Sequence, residues 1–593
     1  MKALKFSLAA LLVSAALTGC TLEGDDGAPG ATGPAGQTGA TGPSGTNGSN
    51  GSNGQNAPVG MQLQAVARYV TGSYGAGAAE ITAFHAQSKR IFVVNGAANR
   101  VEVLDAASVK SQALSDPLTA NTLTSQPLTL PATVTVRNSA DQDETVALGF
   151  ANSISVQGQL LAVAVENKTR SDAGVALIYD LSQGAPLLKQ AIRVGAQPDM
   201  LTFSSDGKWL LVANEGEPVA DYSVDPEGSV SLITLSNGVA ATQAKTFSFS
   251  ALNSDKAALA AKGVKFAGPA STTVAQDLEP EYIALSPDLK KAWVVLQENN
   301  AIAVIDLATA KLDKILPLGF KDHSLAKNSL DVSNRDGVNL QTVPGLYGMY
   351  QPDTLQSFSW QGSAFYVSAN EGDARDWAGF SEQKRVSALK RSATLSARQP
   401  YSADGLGRLN VTTALGQNSN GEYDALYAYG ARSFSIWDQN GQQVFDSGND
   451  FERIASGVHG DKFNSNHLTV EGDNRSDDKG PEPEALALGQ INGRTYAFIG
   501  TERMSGIYVY DISNPYAPQF VDYAYNRDLN AVYNINDDKV PAEVTGNVTQ
   551  AGDLGPESLL FIAPANSPTG KPLLLMANEV SGTLTVFELT PKS

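Results

Sequence analysis

The chain has 593 residues, with 42 Lys and Arg against 61 Asp and Glu, a net charge of −19 at pH 7. That balance excludes nucleic acid and anionic membrane surfaces as partners on bulk electrostatics and makes cations the natural counterpart. There are four histidines, His85, His323, His459 and His467, none at zinc-motif spacing from another, and a single cysteine. These exclude a zinc centre of the usual imidazole and thiolate kind.

The first 19 residues carry Lys2 and Lys5, then an apolar run from Phe6 to Leu17, then Leu17-Thr-Gly-Cys20. The apolar run is shorter than the ~20 residues that span a bilayer, so it reads as a secretory signal. It resembles a bacterial lipoprotein signal, which implies a lipidated Cys20 and a bilayer as partner. Thr21 stands where an inner-membrane retention signal has Asp, which implies the outer membrane or cell surface. Residues 20–57 form a second segment. From Gly24 to Gly54 glycine falls at every third position, with Pro29, Pro34 and Pro43 in the first half and a polar Gly-Ser-Asn run in the second. The period is collagen-like. Its low proline content makes a weak triple helix alone, so the expectation is an extended tether, with trimerisation the alternative.

Residues 58–593 repeat one phrase seven times. An acidic residue opens an apolar run, a turn follows, a second run ends near Asn-Glu, and a third ends near Asp. Asp199-Met-Leu-Thr-Phe203, Leu210-Leu-Val-Ala-Asn-Glu215 and Val230-Ser-Leu-Ile233 are one copy. Glu557-Ser-Leu-Leu-Phe561, Leu574-Leu-Met-Ala-Asn-Glu579 and Leu584-Thr-Val-Phe-Glu588 are the last. Short runs rich in β-branched and aromatic residues, separated by turn signals, are strands. Repetition at this period predicts an all-β, seven-bladed β-propeller. Fourth strands lie between the phrases, as at Lys189–Val194, Thr246–Ser250 and Gln519–Tyr525. The seventh phrase has no room for one, and Leu63–Val70 precedes the first. It is expected to complete the seventh blade and close the ring. Extra length sits at 108–148, 251–278, 317–350, 376–430, 457–482 and 526–553, and loops of this length are functional or disordered.

Aligning the phrases produces two rings of acid. Glu80, Asp199, Glu281, Asp353, Glu484 and Glu557 open first strands, with Asn152 in the remaining copy. Glu166, Glu215, Glu298, Glu371, Glu502 and Glu579 end second strands, with Asn95 in the remaining copy. In propeller topology both sets fall at one mouth of the central channel. Like charges so close need compensation. Bound Ca²⁺, arginines such as Arg335, Arg375, Arg385, Arg432, Arg475 and Arg503, or capping of backbone amides would each supply it. Asp473 to Glu484 is a distinctive acidic loop that Gly480, Pro481 and Pro483 keep from being a helix. The candidate metal ligands are therefore Glu215, Glu281, Asp353, Glu371, Asp373, Asp477, Asp478, Glu482, Glu484, Glu502, Glu557 and Glu579, with Ca²⁺ as the expected cofactor. Asp331-Val-Ser-Asn-Arg-Asp-Gly337 has the flavour of a calcium loop, but its glycine is misplaced for an EF-hand, and an Asx turn is the alternative.

Asn370-Glu-Gly-Asp-Ala-Arg375, Ser433-Phe-Ser-Ile-Trp-Asp438 and the Ser476-Asp-Asp-Lys-Gly-Pro-Glu-Pro-Glu484 core resemble the choice-of-anchor I propeller family over roughly residues 61–590. That resemblance implies an exported surface propeller with a calcium connection. The family includes proteins labelled atypical alkaline phosphatases and is similar to mesenchyme-specific cell-surface glycoproteins. It carries no catalytic residues over to this chain.

Two functional classes follow. One is a calcium-stabilised surface module whose channel mouth meets a small molecule, a mineral surface or a protein. The other is a metal-dependent phosphoesterase, with Arg375, Arg475 and Lys479 as phosphate-binding residues. Against the second, the chain has no Gly-x-Ser-x-Gly elbow and no phosphate-binding glycine loop.

Overall fold

The computed structural model describes residues 60–592. The signal segment, Cys20 and the Gly-x-y tether lie outside the described residues.

Seven sheets of four or five strands follow one another along the chain, and each repeat of the phrase supplies one of them. Their inner strands are Thr82–His85, Asp143–Gln157, Pro198–Phe203, Pro280–Leu285, Leu355–Trp360, Pro483–Ile491 and Pro556–Ile562. Each touches the inner strands of the two neighbouring sheets, and the seventh touches the first. The architecture is a β-propeller. Met61–Val70 is the outer strand of the last sheet, running antiparallel to Thr583–Pro591 with Tyr69 opposite Leu584.

The core is divided into wedges. Phe92 and Leu177 pack between the first and second sheets, Leu211 and Val294 between the third and fourth, and Phe434 and Tyr508 between the fifth and sixth. The strands are apolar on both faces because each sheet is sandwiched between two others.

The insertions are folded. Segments 317–350 and 376–430 share a core of Leu330, Val343, Leu395, Leu409 and Leu426. Residues 468–470 and 531–554 share another, with Tyr533, Ile535 and Leu554. Within 108–148 the structure adds a strand not foreseen from the phrase, Thr133–Arg137, hairpinned onto an inner strand that runs back to Asp143. Its Thr-Val-Thr-Val-Arg sequence buries Val134 and Val136 and exposes the residues between them, the alternation of a half-buried strand.

Candidate functional site

Five phrases begin with proline followed by acid: Gln197-Pro-Asp199, Glu279-Pro-Glu281, Gln351-Pro-Asp353, Glu482-Pro-Glu484 and Gly555-Pro-Glu557. Pro198, Pro280, Pro483 and Pro556 pair with the ends of the adjoining second strands, after which the register slips. Proline has no N–H for the ladder, and a bulge re-aims the residue that follows it. Of these five acids, Asp199, Asp353 and Glu557 line the channel. The residue before the proline is left-handed in four of these turns, with φ of 47° at Gln197, 40° at Gln351, 53° at Glu482 and 68° at Gly555. For the three that are not glycine this conformation costs about 1–2 kcal/mol. It aims their carbonyls at the second-strand ends. Gln197 O accepts from Glu215 N at 2.9 Å, Glu482 O from Glu502 N at 2.9 Å and Gly555 O from Glu579 N at 2.8 Å. The two acid rings are laced together by backbone.

The channel has two unlike ends, which meet at Ile81, Ser153, Met200 and Tyr282. One is a cavity of about 840 Å³ lined by all seven inner strands without a single Asp, Glu, Lys or Arg. The other, of about 230 Å³, is lined by Glu80, Glu166, Asp199, Glu215, Asp353 and Glu557 around one cation, Arg170. Arg170 pairs with Glu217 and Glu166, and Gln197 Nε2 donates to Glu215 and Glu217.

Other predicted residues gather in three groups, one of which shares Glu215 with the channel lining. Glu371, Glu482 and Glu502 form a trio penetrated by cations. Lys479 Nζ lies 2.7 Å from Glu371 and 3.2 Å from Glu482, Arg475 Nη2 2.8 Å from Glu482, and Arg503 bridges Glu482 at 2.8 Å and Glu502 at 3.0 Å. Asp373 stands at its rim, 3.6 Å from Lys479. Asp477 and Asp478 face away, toward the insertion. Asp477 meets Arg385 at 2.9 Å and Arg408 at 2.7 Å, and Asp478 meets Arg475 at 2.6 Å. The third group, Glu215, Glu281 and Glu298, brings one oxygen from each within 4.8 Å of the others. Glu281 Oε2 and Glu298 Oε2 are buried without a hydrogen-bond partner, as is Glu484 Oε2.

Of the phosphate-binding candidates, Arg375 is buried against Glu279 at 2.5 Å and Asp277 at 3.6 Å, while Arg475 and Lys479 belong to the cation-filled trio. Asp331 Oδ1 accepts from Ser333 N at 3.2 Å and Oδ2 from Asn339 N at 2.6 Å, closing an Asx turn. Sequence reasoning passed over Glu217, Glu279, Arg170 and His467. The doubled Glu-Pro-Glu at 279–281 and 482–484 was the available signal for Glu279. Nothing local marks His467, whose ring lies between Arg503 and Glu502.

Burial raises many of the channel-mouth carboxyls, and their mutual repulsion adds to it. Asp199 is pushed up to about 6, Glu298 to about 7 and Asp353 to about 8. Glu80, Glu215, Glu281, Glu484 and Glu557 are held well above the ordinary carboxylate range. Glu482 is shifted the other way. Burial would raise it, but Arg475, Arg503 and Lys479 together hold it well below. The acidic end therefore combines one neutralised trio with a surplus of buried acid that protons or a bound cation must balance.

The choice-of-anchor I domain description matches residues 80–515. The chain is 30% identical to Gigasin-3a of Magallana gigas over 193 residues, 31% of this chain and 64% of that protein. It is 27% identical to a mesenchyme-specific cell surface glycoprotein of Strongylocentrotus purpuratus over 308 residues, 45% of this chain and 39% of that one. It thus spans less than two thirds of either relative. The β-propeller domain of Cps50 from Myceliophteria thermophila superposes at a TM-score of 0.38 and 8% identity, over 88% of this chain and all of that one. Among the described residues, no helix is long and apolar enough to cross a membrane.

Proposed function

We propose that this chain, which belongs to the choice-of-anchor I domain family, is a lipid-anchored surface β-propeller that takes calcium at the acidic end of its channel and presents that end to a ligand or partner. The observation that carries the reading is the imbalance of that end, where six carboxylates surround one arginine. A hard divalent cation is the counter-ion that carboxylate oxygens suit, and the donor set fits one. The Cys20 signal supplies the anchor, and the cell-surface name of the sea-urchin relative agrees with the location. The presented ligand would be a small molecule, a mineral surface or a protein that reaches the ion or the acid rim.

The phosphoesterase alternative has weaker support. Arg375, Arg475 and Lys479, which would hold the phosphate, are each committed to at least two carboxylates.

One experiment separates the readings. The purified protein is stripped with chelator, then melted with and without millimolar Ca²⁺ and assayed on phosphomonoesters and phosphodiesters in both states. A ligand bound only by the folded state must raise its melting temperature. A rise without turnover is expected. Unchanged melting removes the calcium reading, and turnover abolished by chelation replaces binding with catalysis.

A further inference from the structure

The two glutamate trios draw on similar elements of the repeat, but Glu281 follows the proline of its Glu-Pro-Glu whereas Glu482 precedes the proline of its own. Glu215 and Glu298 end the second strands of the third and fourth sheets, and Glu281 belongs to the Glu-Pro-Glu that opens the inner strand between them in the chain. Glu371 and Glu502 end the second strands of the fifth and sixth sheets, and Glu482 belongs to the other Glu-Pro-Glu. In both trios one oxygen per residue lies within 4.8 Å of the rest. Their surroundings differ. Lys479, Arg475 and Arg503 reach into the second trio. Among the described residues, no ion pair reaches Glu215, Glu281 or Glu298. Glu281 and Glu298 are 8% and 5% exposed, and each keeps a buried oxygen without a partner. Glu215 is 8% exposed, and among the described residues its carboxylate accepts a hydrogen bond from the side-chain amide of Gln197.

We propose that a calcium ion binds among Glu215, Glu281 and Glu298, and that Lys479 stands in for such an ion in the Glu371, Glu482 and Glu502 trio. This rests on the reading that the acidic end takes calcium, and it says where. The three oxygens lie within 4.8 Å of one another, close enough for small side-chain shifts to bring all of them onto one Ca²⁺ at about 2.3–2.6 Å. Mg²⁺, at about 2.0–2.1 Å, demands near-ideal octahedral geometry and gives up its waters reluctantly, so a flexible cluster of carboxylates suits Ca²⁺ better. Three carboxylates fill part of a six- to eight-oxygen shell. The remaining positions fall to water, or to an oxygen of whatever ligand the mouth receives.

The test is calorimetric titration of the chelator-stripped full chain with CaCl₂, and separately with MgCl₂, in wild type and two variants. Wild type should bind one Ca²⁺ more tightly than Mg²⁺. The Glu281→Gln/Glu298→Gln double variant should lose about 100-fold or more in Ca²⁺ affinity. Without metal it should melt at or above the wild-type temperature, because repulsion has been relieved. Lys479→Met should gain a second Ca²⁺ per chain. Calcium binding that survives unchanged in the double variant overturns the assignment and leaves the calcium reading standing. Wild type that binds no calcium ends both. If Lys479→Met folds with wild-type circular dichroism and still binds one ion, the stand-in role falls. If it fails to fold, the double variant and Lys479→Gln decide the matter.

Discussion

Glu482→Gln removes the carboxylate on which Arg475, Lys479 and Arg503 converge, at 2.8, 3.2 and 2.8 Å. Glu482 is fully buried, so the three cations are left facing an amide that cannot neutralise them. Breaking a buried ionic contact by removing one partner costs about 3–5 kcal/mol. At about 2.1 cal/mol/K of unfolding entropy per residue, a unit of roughly 530 residues changes by about 1.1 kcal/mol per degree, so the melting temperature should drop about 3–5 °C. The pH dependence has a definite sign. The native carboxyl is held well below its ordinary value, so its contribution is complete above about pH 4.5 and is lost only as pH falls through the lower native value. The gap between wild type and variant should be flat from pH 5 to 8 and close in strong acid. Because the site is buried, 0.5 M NaCl should leave most of the gap in place. Melting followed by circular dichroism across this grid reads all three effects. A shift below 1 °C, or one that 0.5 M salt abolishes, would show that the three cations are solvated and that the loop from Asp473 is not held through Glu482.

The channel acids predict the opposite slope for the metal-free protein. Asp199, Glu298 and Asp353 rise in the folded state to about 6, 7 and 8, so the native state holds more protons and stability should fall as pH rises from about 4 to 8. Differential scanning calorimetry in chelator should show that decline, and calcium should flatten it. Gly555 has φ +68°, and an added Cβ would lie 2.8 Å from Val580. Gly555→Ala should therefore cost about 1–3 kcal/mol, measured as urea-midpoint loss. Asp477→Asn/Asp478→Asn frees Arg385 and Arg408, leaves Arg475 with Glu482 alone, and should destabilise the insertion by about 3 kcal/mol while leaving calcium affinity unchanged. Lost calcium binding in a folded variant would return the Asp473–Glu484 loop to the cation site.

The repeated phrase made the fold legible, because each copy carried its strands, its turn and its terminal acid in one order. The partner of Leu63–Val70 could be read by elimination, since the last phrase lacked a strand. The acid rings were legible as positions. Which acids lacked a counter-ion was not, because the answer lies in side chains far away in the sequence. Lys479 reaches Glu371 across 108 residues, and Arg375 reaches Glu279 across 96. The acidic density at Asp477 and Asp478 drew attention to a metal, yet the arginine partners of Asp477 arrive from the 376–430 insertion, whose fold no local pattern specifies. The proline that precedes five of the six first-strand acids was visible throughout. Its meaning appears only once the slipped register is seen beside it.

The pairing of Met61–Val70 with Thr583–Pro591 also sets an order of events in time. A chain made from its N-terminus exposes Leu63–Val70 long before Leu584 exists to meet it. That strand must wait as an unsatisfied edge through the synthesis of six complete sheets. Joining ends roughly 500 residues apart then costs about 5–6 kcal/mol of chain entropy, which one outer strand and its share of the neighbouring wedges must outweigh. Ring closure is thus the last assembly step and a checkpoint on completeness. A chain halted anywhere before Thr583 remains an open arc with two bare edges, recognisable as unfinished by any protease or chaperone that searches for them.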